Sequence, residues 1–209
     1  MAKTGLSDAF LDDLRDAYDA EKQLIKALPK MAKAASSPKL RKAFEDHLKE
    51  TQGHVGRLEQ TFASLDEKVR GKHCDGIEGI IEEGGSVMEE DFDDATMDAC
   101  LIAAGQRAEH YEMAAYGSLV AWAQTLGHGE AAGFLQANLD EEKAADEKLT
   151  ALAEGGINQA AADAAGSEDG EEGEDEDEDE GEDEEADDAG EAATPKESGS
   201  KTGAGTGRR

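Results

Sequence analysis

Four glutamates recur in pairs along the chain. Glu21 lies in one long helical pattern and Glu50 in the next, 29 residues on. Glu109 lies in a third pattern and Glu141 in a fourth, 32 residues on. Two helical hairpins that each turn two carboxylates inward make the ligand plan of a dinuclear metal site in a four-helix bundle. Tyr18, Leu24 and Ile25 flank Glu21 at i−3, i+3 and i+4, so it lies on an apolar stripe. Carboxylates are rarely buried unpaired, so Glu21 is either a ligand or a stripe-edge group reaching water. Glu109 and Glu112, in AEHYE, are three apart and share a face. Two such carboxylates repel unless a cation lies between them. The alternative, a solvated acidic face, fits poorly with Ala108, Ala115 and Tyr116 nearby.

The second and fourth patterns leave choices open. Glu50 sits in HLKETQGHVGRLE, with His47 three residues before and His54 four after. All three can face one side, although each histidine alone also reads as an ordinary polar helix position. Glu141 and Glu142 point about 100° apart on a helix, so at most one is a primary ligand. Alignment with Glu50 selects Glu141 and leaves Glu142 as a charged, exposed residue.

The elements that must position these groups follow a period of 3.6. The first segment runs from Ser7, as N-cap, to about Ala35, with a kink or break expected near Pro29. Ser37 and Pro38 restart the chain as N-cap and N1 of a second segment ending near Leu65. Two helices of this length joined by a tight turn lie antiparallel. Residues 66–92 form a connector holding a short helix, capped by Asp75 and stopped by Gly84-Gly85. It is long enough to return the chain to the other end of the bundle and link two hairpins whose neighbouring helices are then parallel. A third, alanine-rich segment runs from Asp93 to Leu126, and a fourth from Gly129 to Glu154, stopped by Gly155-Gly156. No strand pattern has any strength. The halves overlay with Glu21 on Glu109 at an offset of 88, and with Leu48 and Glu50 on Leu139 and Glu141 at 91.

Composition divides the chain. Residues 1–154 carry 31 acidic and 17 basic side chains, a net of −14, while residues 155–209 carry 20 and 4, a net of −16. The second part has no aromatic residue, and Ile157 is its only large aliphatic. It cannot bury enough apolar surface to offset ordering entropy, so 155–209 is expected to be a disordered acidic tail behind a 1–154 domain. Acidity argues against a direct nucleic-acid partner, and no window is apolar enough for a membrane span. The N-terminus lacks the apolar core of a secretory signal. Cys74 and Cys100 make neither a metal-type pair nor a disulfide framework. A cytoplasmic protein is the resulting expectation.

Segments FLDDLRDAYDAEKQLIKALPKMAKAA, HLKETQGHVGRLE, IEGIIEEG and AEHYEMAAYGSL resemble the YciF-type bacterial stress proteins of the ferritin-like superfamily. The resemblance covers about residues 6–153. It implies an all-α, ferritin-like four-helix bundle with a rubrerythrin-like dimetal centre, and a homodimer. Glu109-x-x-Glu112 resembles the Glu-x-x-Glu of the third rubrerythrin helix, while Glu21, Glu50 and Glu141 resemble the single glutamates of the other three. The superfamily usually adds a histidine at i+3 on the second and fourth helices. Gly53 and Ala144 stand there instead, with His54 or His47 as substitute on one side. An oxygen-rich site is hard, which weakens iron binding or favours Mn²⁺. The expected cofactors are two metal ions, iron first and manganese second. Glu109 and Glu50 are expected to bridge, with Glu21, Glu112, Glu141 and a histidine as terminal ligands. The implied chemistry is reaction with peroxide or oxygen, with Tyr18 or Tyr116 relaying electrons. The CxxC module of rubrerythrins is absent, so the chain shows no built-in electron donor. The competing readings are a non-enzymatic helical stress protein with a vestigial or structural metal site, and a binding role for the acidic tail.

Overall fold

A computed structural model describes residues 5–168. Six α-helices follow in order: α1 Leu6–Ala34, α2 Pro38–Ser64, α3 Asp75–Val87, α4 Asp94–Thr125, α5 Gly129–Leu152 and, after a π-helical turn at Ala153–Ile157, α6 Asn158–Glu168. Local chemistry explains most boundaries. Ser37 caps α2 by accepting from the Leu40 N–H, with Pro38 in the first turn. Asp93 caps α4 by accepting from the Ala95 and Thr96 N–H groups. Gly127 leaves α4 at φ 79°, a left-handed conformation that glycine adopts without a Cβ penalty.

Several boundaries differ from expectation. Gly5, rather than Ser7, precedes α1, and α1 is continuous through Pro29. α3 starts after Cys74 and runs through Gly84-Gly85 to Val87. Neither glycine ends the helix, and Gly84 lies on its α4 side, where an added Cβ would sit in ordinary contact 3.5 Å from that of Ala104. Gly156, at φ 126°, kinks the chain after α5 without ending the helical region. Helical structure therefore continues into the stretch assigned to the tail. Ile157 anchors it against the lower core. Residues 169–209 of the expected tail lie outside the described residues.

The long helices α1, α2, α4 and α5 form the bundle, with α1 against α2 and α4, and α5 against α2 and α4. α3 lies on α1 and α4, and α6 lies on α4. Direction follows from which helix halves share a core. An upper core joins Phe10, Leu14, Leu58, Phe62, Leu119 and Leu135. A lower core joins Leu24, Leu28, Leu40, Phe44, Leu101 and Leu149. The first half of α1 thus meets the second halves of α2 and α4 and the first half of α5. All four neighbouring pairs are antiparallel. The connector does join parallel helices, α2 and α4, but they occupy a diagonal of the bundle rather than neighbouring positions, because the return runs along α1, where the Lys72 N–H donates to the Arg15 carbonyl, and then along α4 through α3.

The two cores do not merge. Between them on each helix lies one polar slice: Glu21 on α1, His47 and His54 on α2, Glu109 and Glu112 on α4, and Glu142 on α5, all buried. Each fully buried Leu or Phe contributes about 2 kcal/mol. The two apolar layers together offset the cost of placing these ionisable groups inside.

A buried aspartate ties the α1–α2 turn to the bundle. Asp98 on α4 accepts from the Ser36 N–H at 2.8 Å and the Ser37 N–H at 2.7 Å. Asp98→Ala leaves both donors without their charged acceptor and is expected to lower stability by about 2 kcal/mol. Urea unfolding at neutral pH checks this through the shift in midpoint.

Candidate metal centre

The slice is built around Glu142. Its side chain is fully buried, and its two oxygens face different histidines. Oε1 lies 2.8 Å from His54 Nδ1, and Oε2 lies 3.7 Å from His47 Nε2. On the His47 side stand Glu109, whose Oε1 is 3.2 Å from His47 Nε2, and Glu112. On the His54 side stands Glu21, whose Oε1 is 3.2 Å from His54 Nδ1. His47, Glu109, Glu112 and Glu142 can offer one ligand atom each within 4.8 Å of one another, and so can Glu21, His54 and Glu142. Two potential cation sites therefore share one carboxylate.

The residues present fit two divalent ions. Glu21 Oε2, Glu109 Oε2, Glu112 Oε2, both Glu142 oxygens and His54 Nδ1 have no aligned hydrogen-bond partner. Only one other buried side-chain polar atom among the described residues, Arg15 Nε, shares that condition. Buried polar groups are normally satisfied, so a cluster of orphaned acceptors marks a place for a cation. Charge agrees: four carboxylates with neutral histidines are balanced by two divalent ions. With no cation bound, protons must take that role. Burial first, and then neighbouring Glu142, pushes Glu109 well above the usual carboxylate range. Glu112 is pushed well up by burial and the surrounding carboxylates, and Glu21 is also raised, chiefly by burial. Burial opposes ionisation of Glu142, but His54 and Glu109 outweigh it and lower its pKa. Burial also opposes a charged His54, yet Glu142 and Glu21 hold it up at about 10.

The sequence-selected residues divide in two. Glu21, His54, Glu109 and Glu112 come together in the slice, as does His47. Glu50 and Glu141 do not. Their side chains remain 43% and 39% exposed, and each stands behind a histidine. His47 Nδ1 lies 3.3 Å from Glu50, and His54 Nε2 lies 3.0 Å from Glu141. Both histidines thus present the opposite nitrogen to the centre, the arrangement in which an outer carboxylate fixes ring orientation and tautomer. Glu142, read from sequence as exposed, occupies the position expected of Glu141. The overlay explains the slip: His54 follows Glu21 by 33 residues, and Glu142 follows Glu109 by 33. A single offset of 88 therefore relates both pairs, whereas alignment on Leu48 and Glu50 shifts the fourth helix by three residues.

A support network went unread in the sequence. Arg57 donates to Glu141 and to Asn138 Oδ1. Asn138 Nδ2 donates to the Tyr116 hydroxyl at 2.9 Å, and Tyr116 donates to Glu21 Oε1. One guanidinium thus steadies both Glu21 and the carboxylate behind His54. Tyr116 touches the centre through Glu21, whereas the Tyr18 hydroxyl goes to Glu59 at 3.1 Å. Arg57 lies in the quoted stretch HLKETQGHVGRLE, but an arginine at a half-exposed helix position gives no sequence signal of this role.

Comparison with known proteins agrees with this architecture. Residues 5–162 match a family model described as Domain of unknown function (DUF892). Protein YciF of Escherichia coli (strain K12) is 45% identical over 161 residues, covering 77% of this chain and 97% of that protein. The crystal structure of the E. coli stress protein YciF superposes with a TM-score of 0.72 at 44% identity, over 75% of this chain and 99% of that one. YcfI from Rhodopseudomonas palustris superposes with a TM-score of 0.69 at 44% identity, over 70% and 94%. A Xanthomonas campestris pv. campestris protein at 21% identity shares the fold, with a TM-score of 0.62 over 78% and 99%.

The proton load of the slice sets a pH dependence. Without bound cations, Glu21, Glu109 and Glu112 have raised folded-state pKa values, and His54 is raised to about 10. The His54 contribution is complete below its unfolded value of about 6.5 and is lost as pH rises through about 10. The raised carboxylates act in the same sense, because the folded state holds protons that the unfolded state has released. Chelator-treated protein is thus expected to melt at progressively lower temperature from about pH 6 to about pH 9. Adding Mn²⁺ should flatten that slope. Thermal melts across this range, with and without the ion, check both expectations.

Proposed function

Since the chain belongs to the DUF892 family of YciF-like proteins within the ferritin-like superfamily, we propose that it is a carboxylate-bridged dimetal protein acting in stress defence. The observation that carries this reading is the placement of Glu142, which offers one oxygen to each of two adjacent ligand sets. His47, Glu109 and Glu112 would hold one ion, Glu21 and His54 the other, with Glu142 between them. Iron is the first candidate, from the family resemblance, and manganese the second, since the set is rich in carboxylate and holds only two imidazoles. When bound, such a pair supplies one-electron redox chemistry toward peroxide or oxygen.

The chain's own residues set the conditions for that chemistry. Glu50 and Glu141 orient His47 and His54. Arg57 fixes Glu141 and, through Asn138 and Tyr116, fixes Glu21. Burial pushes the Tyr116 hydroxyl well above its ordinary range, so its proton stays available to Glu21 at neutral pH. The apolar layers on either side exclude bulk water and strengthen each charge interaction within the slice. A cytoplasmic homodimer completes this reading. No described helix is long and apolar enough to cross a membrane. The second reading is a purely structural metal centre. Complete burial of Glu21, His54 and Glu142 favours it, since a centre sealed on that side need not meet a substrate.

Elemental analysis of untagged protein purified without chelator tests the reading, with about two iron or manganese ions per chain expected. Glu142→Gln, which removes the shared charge, should reduce occupancy to about one ion or fewer. Glu141→Gln should retain both ions with affinity weakened about 10-fold. Protein that folds normally yet takes up no ion after anaerobic Fe²⁺ loading would end the dimetal reading. Peroxide consumption by the Fe²⁺-loaded protein separates the redox centre from the structural one.

A further inference from the structure

A cleft of about 330 Å³ opens between α1 and α4 and reaches the slice at Glu112. Its acidic lining is graded: Asp13 is exposed, Asp16 half-buried and Glu112 buried. Asp13 and Asp16 are one turn apart on α1, so they share its outward face. The wall between them and the centre is thin because Ala17, Ala20 and Ala115 provide it. Glu112 lines the inner end of this space, and its Oε2 is buried behind it without a hydrogen-bond partner. The cleft on the opposite face is far smaller. The cleft there, bordered by His47, Glu50 and Glu109, has a volume of about 10 Å³ and is flanked by the Lys148 ammonium. On the α1–α4 side no Lys or Arg is among the lining residues; Lys72 reaches Asp16 at 3.6 Å and Asp12 at 3.1 Å from outside that lining, and the Tyr111 hydroxyl donates to Asp16 at 3.4 Å.

We propose that the α1–α4 cleft is the port through which a divalent cation reaches the buried centre, with Asp13 and Asp16 as the outer station and Glu112 as the inner one. A hydrated ion meets carboxylates of decreasing exposure, so it exchanges water for protein oxygens in steps rather than all at once. A cleft lined by one sign of charge also concentrates counter-ions at its mouth and speeds their capture. This inference rests on the dimetal reading and adds the route and the residues that guide it.

Stopped-flow uptake of Co²⁺ by the full, chelator-stripped chain, followed by its visible absorption, tests the route. At low salt, D13N/D16N is expected to slow uptake about 10-fold while the final Co²⁺ per chain stays at the wild-type value. Salt should slow the wild type and leave the variant nearly unchanged. D140N/E147Q, which removes equal charge from the exposed side of α5, should keep the wild-type rate. Ala114→Phe, which adds bulk at the mouth without changing charge, should also slow uptake at unchanged final occupancy. Equal rates for D13N/D16N and wild type would overturn the route and leave the centre standing. So would equal slowing in D140N/E147Q, or a lost ion in D13N/D16N at unchanged rate. A wild-type chain that binds no Co²⁺, Mn²⁺ or Fe²⁺ would overturn the dimetal reading, and the route with it.

Discussion

Four carboxylates held together in a buried slice constrain everything else in this protein. Like charges at such distances cannot all ionise without compensation, and the chain brings only two imidazoles to meet them. The compensation is either protons or metal cations. The orphaned oxygens of Glu21, Glu109, Glu112 and Glu142 are the direct expression of that demand. The surrounding structure answers it in layers. Apolar cores sit on both sides, outer carboxylates stand behind each histidine, and one arginine binds two of the supports.

Much of the fold was legible because it rests on local chemistry. Period, Ser37-Pro38, Asp93 and Gly127 each fix a helix end through nearby atoms. Boundaries were misread where tertiary packing decided them. Gly84-Gly85 looks like a stop, yet α3 runs through it to Val87 with Gly84 facing Ala104 of α4, and Gly156 redirects the helix rather than ending it. The diagonal placement of α2 and α4 was also beyond a one-dimensional reading, because connector length gives direction without giving neighbourhood.

At the centre, residue type was more informative than register. Glu21, Glu109, Glu112 and His54 were recognisable because carboxylates and an imidazole interrupt apolar faces. Glu141 and Glu142 differ by one residue, and a single residue turns a helix by about 100°. That step is the difference between a half-exposed carboxylate behind His54 and a buried one common to both candidate ligand sets. The spacing of 33 residues common to both hairpins carries the correct register, but it appears only when His54, rather than Glu50, is taken as the reference.

The polar slice has a mechanical meaning as well as a chemical one. It divides the interior into two apolar compartments, and every long helix threads both. With the slice neutralised, the compartments are riveted at their midplane and the bundle melts as one body. With the slice left charged, repulsion acts along the plane between the two compartments, and each compartment can loosen alone. Cooperativity of the whole scaffold is thereby made conditional on what occupies a few cubic ångströms at its waist.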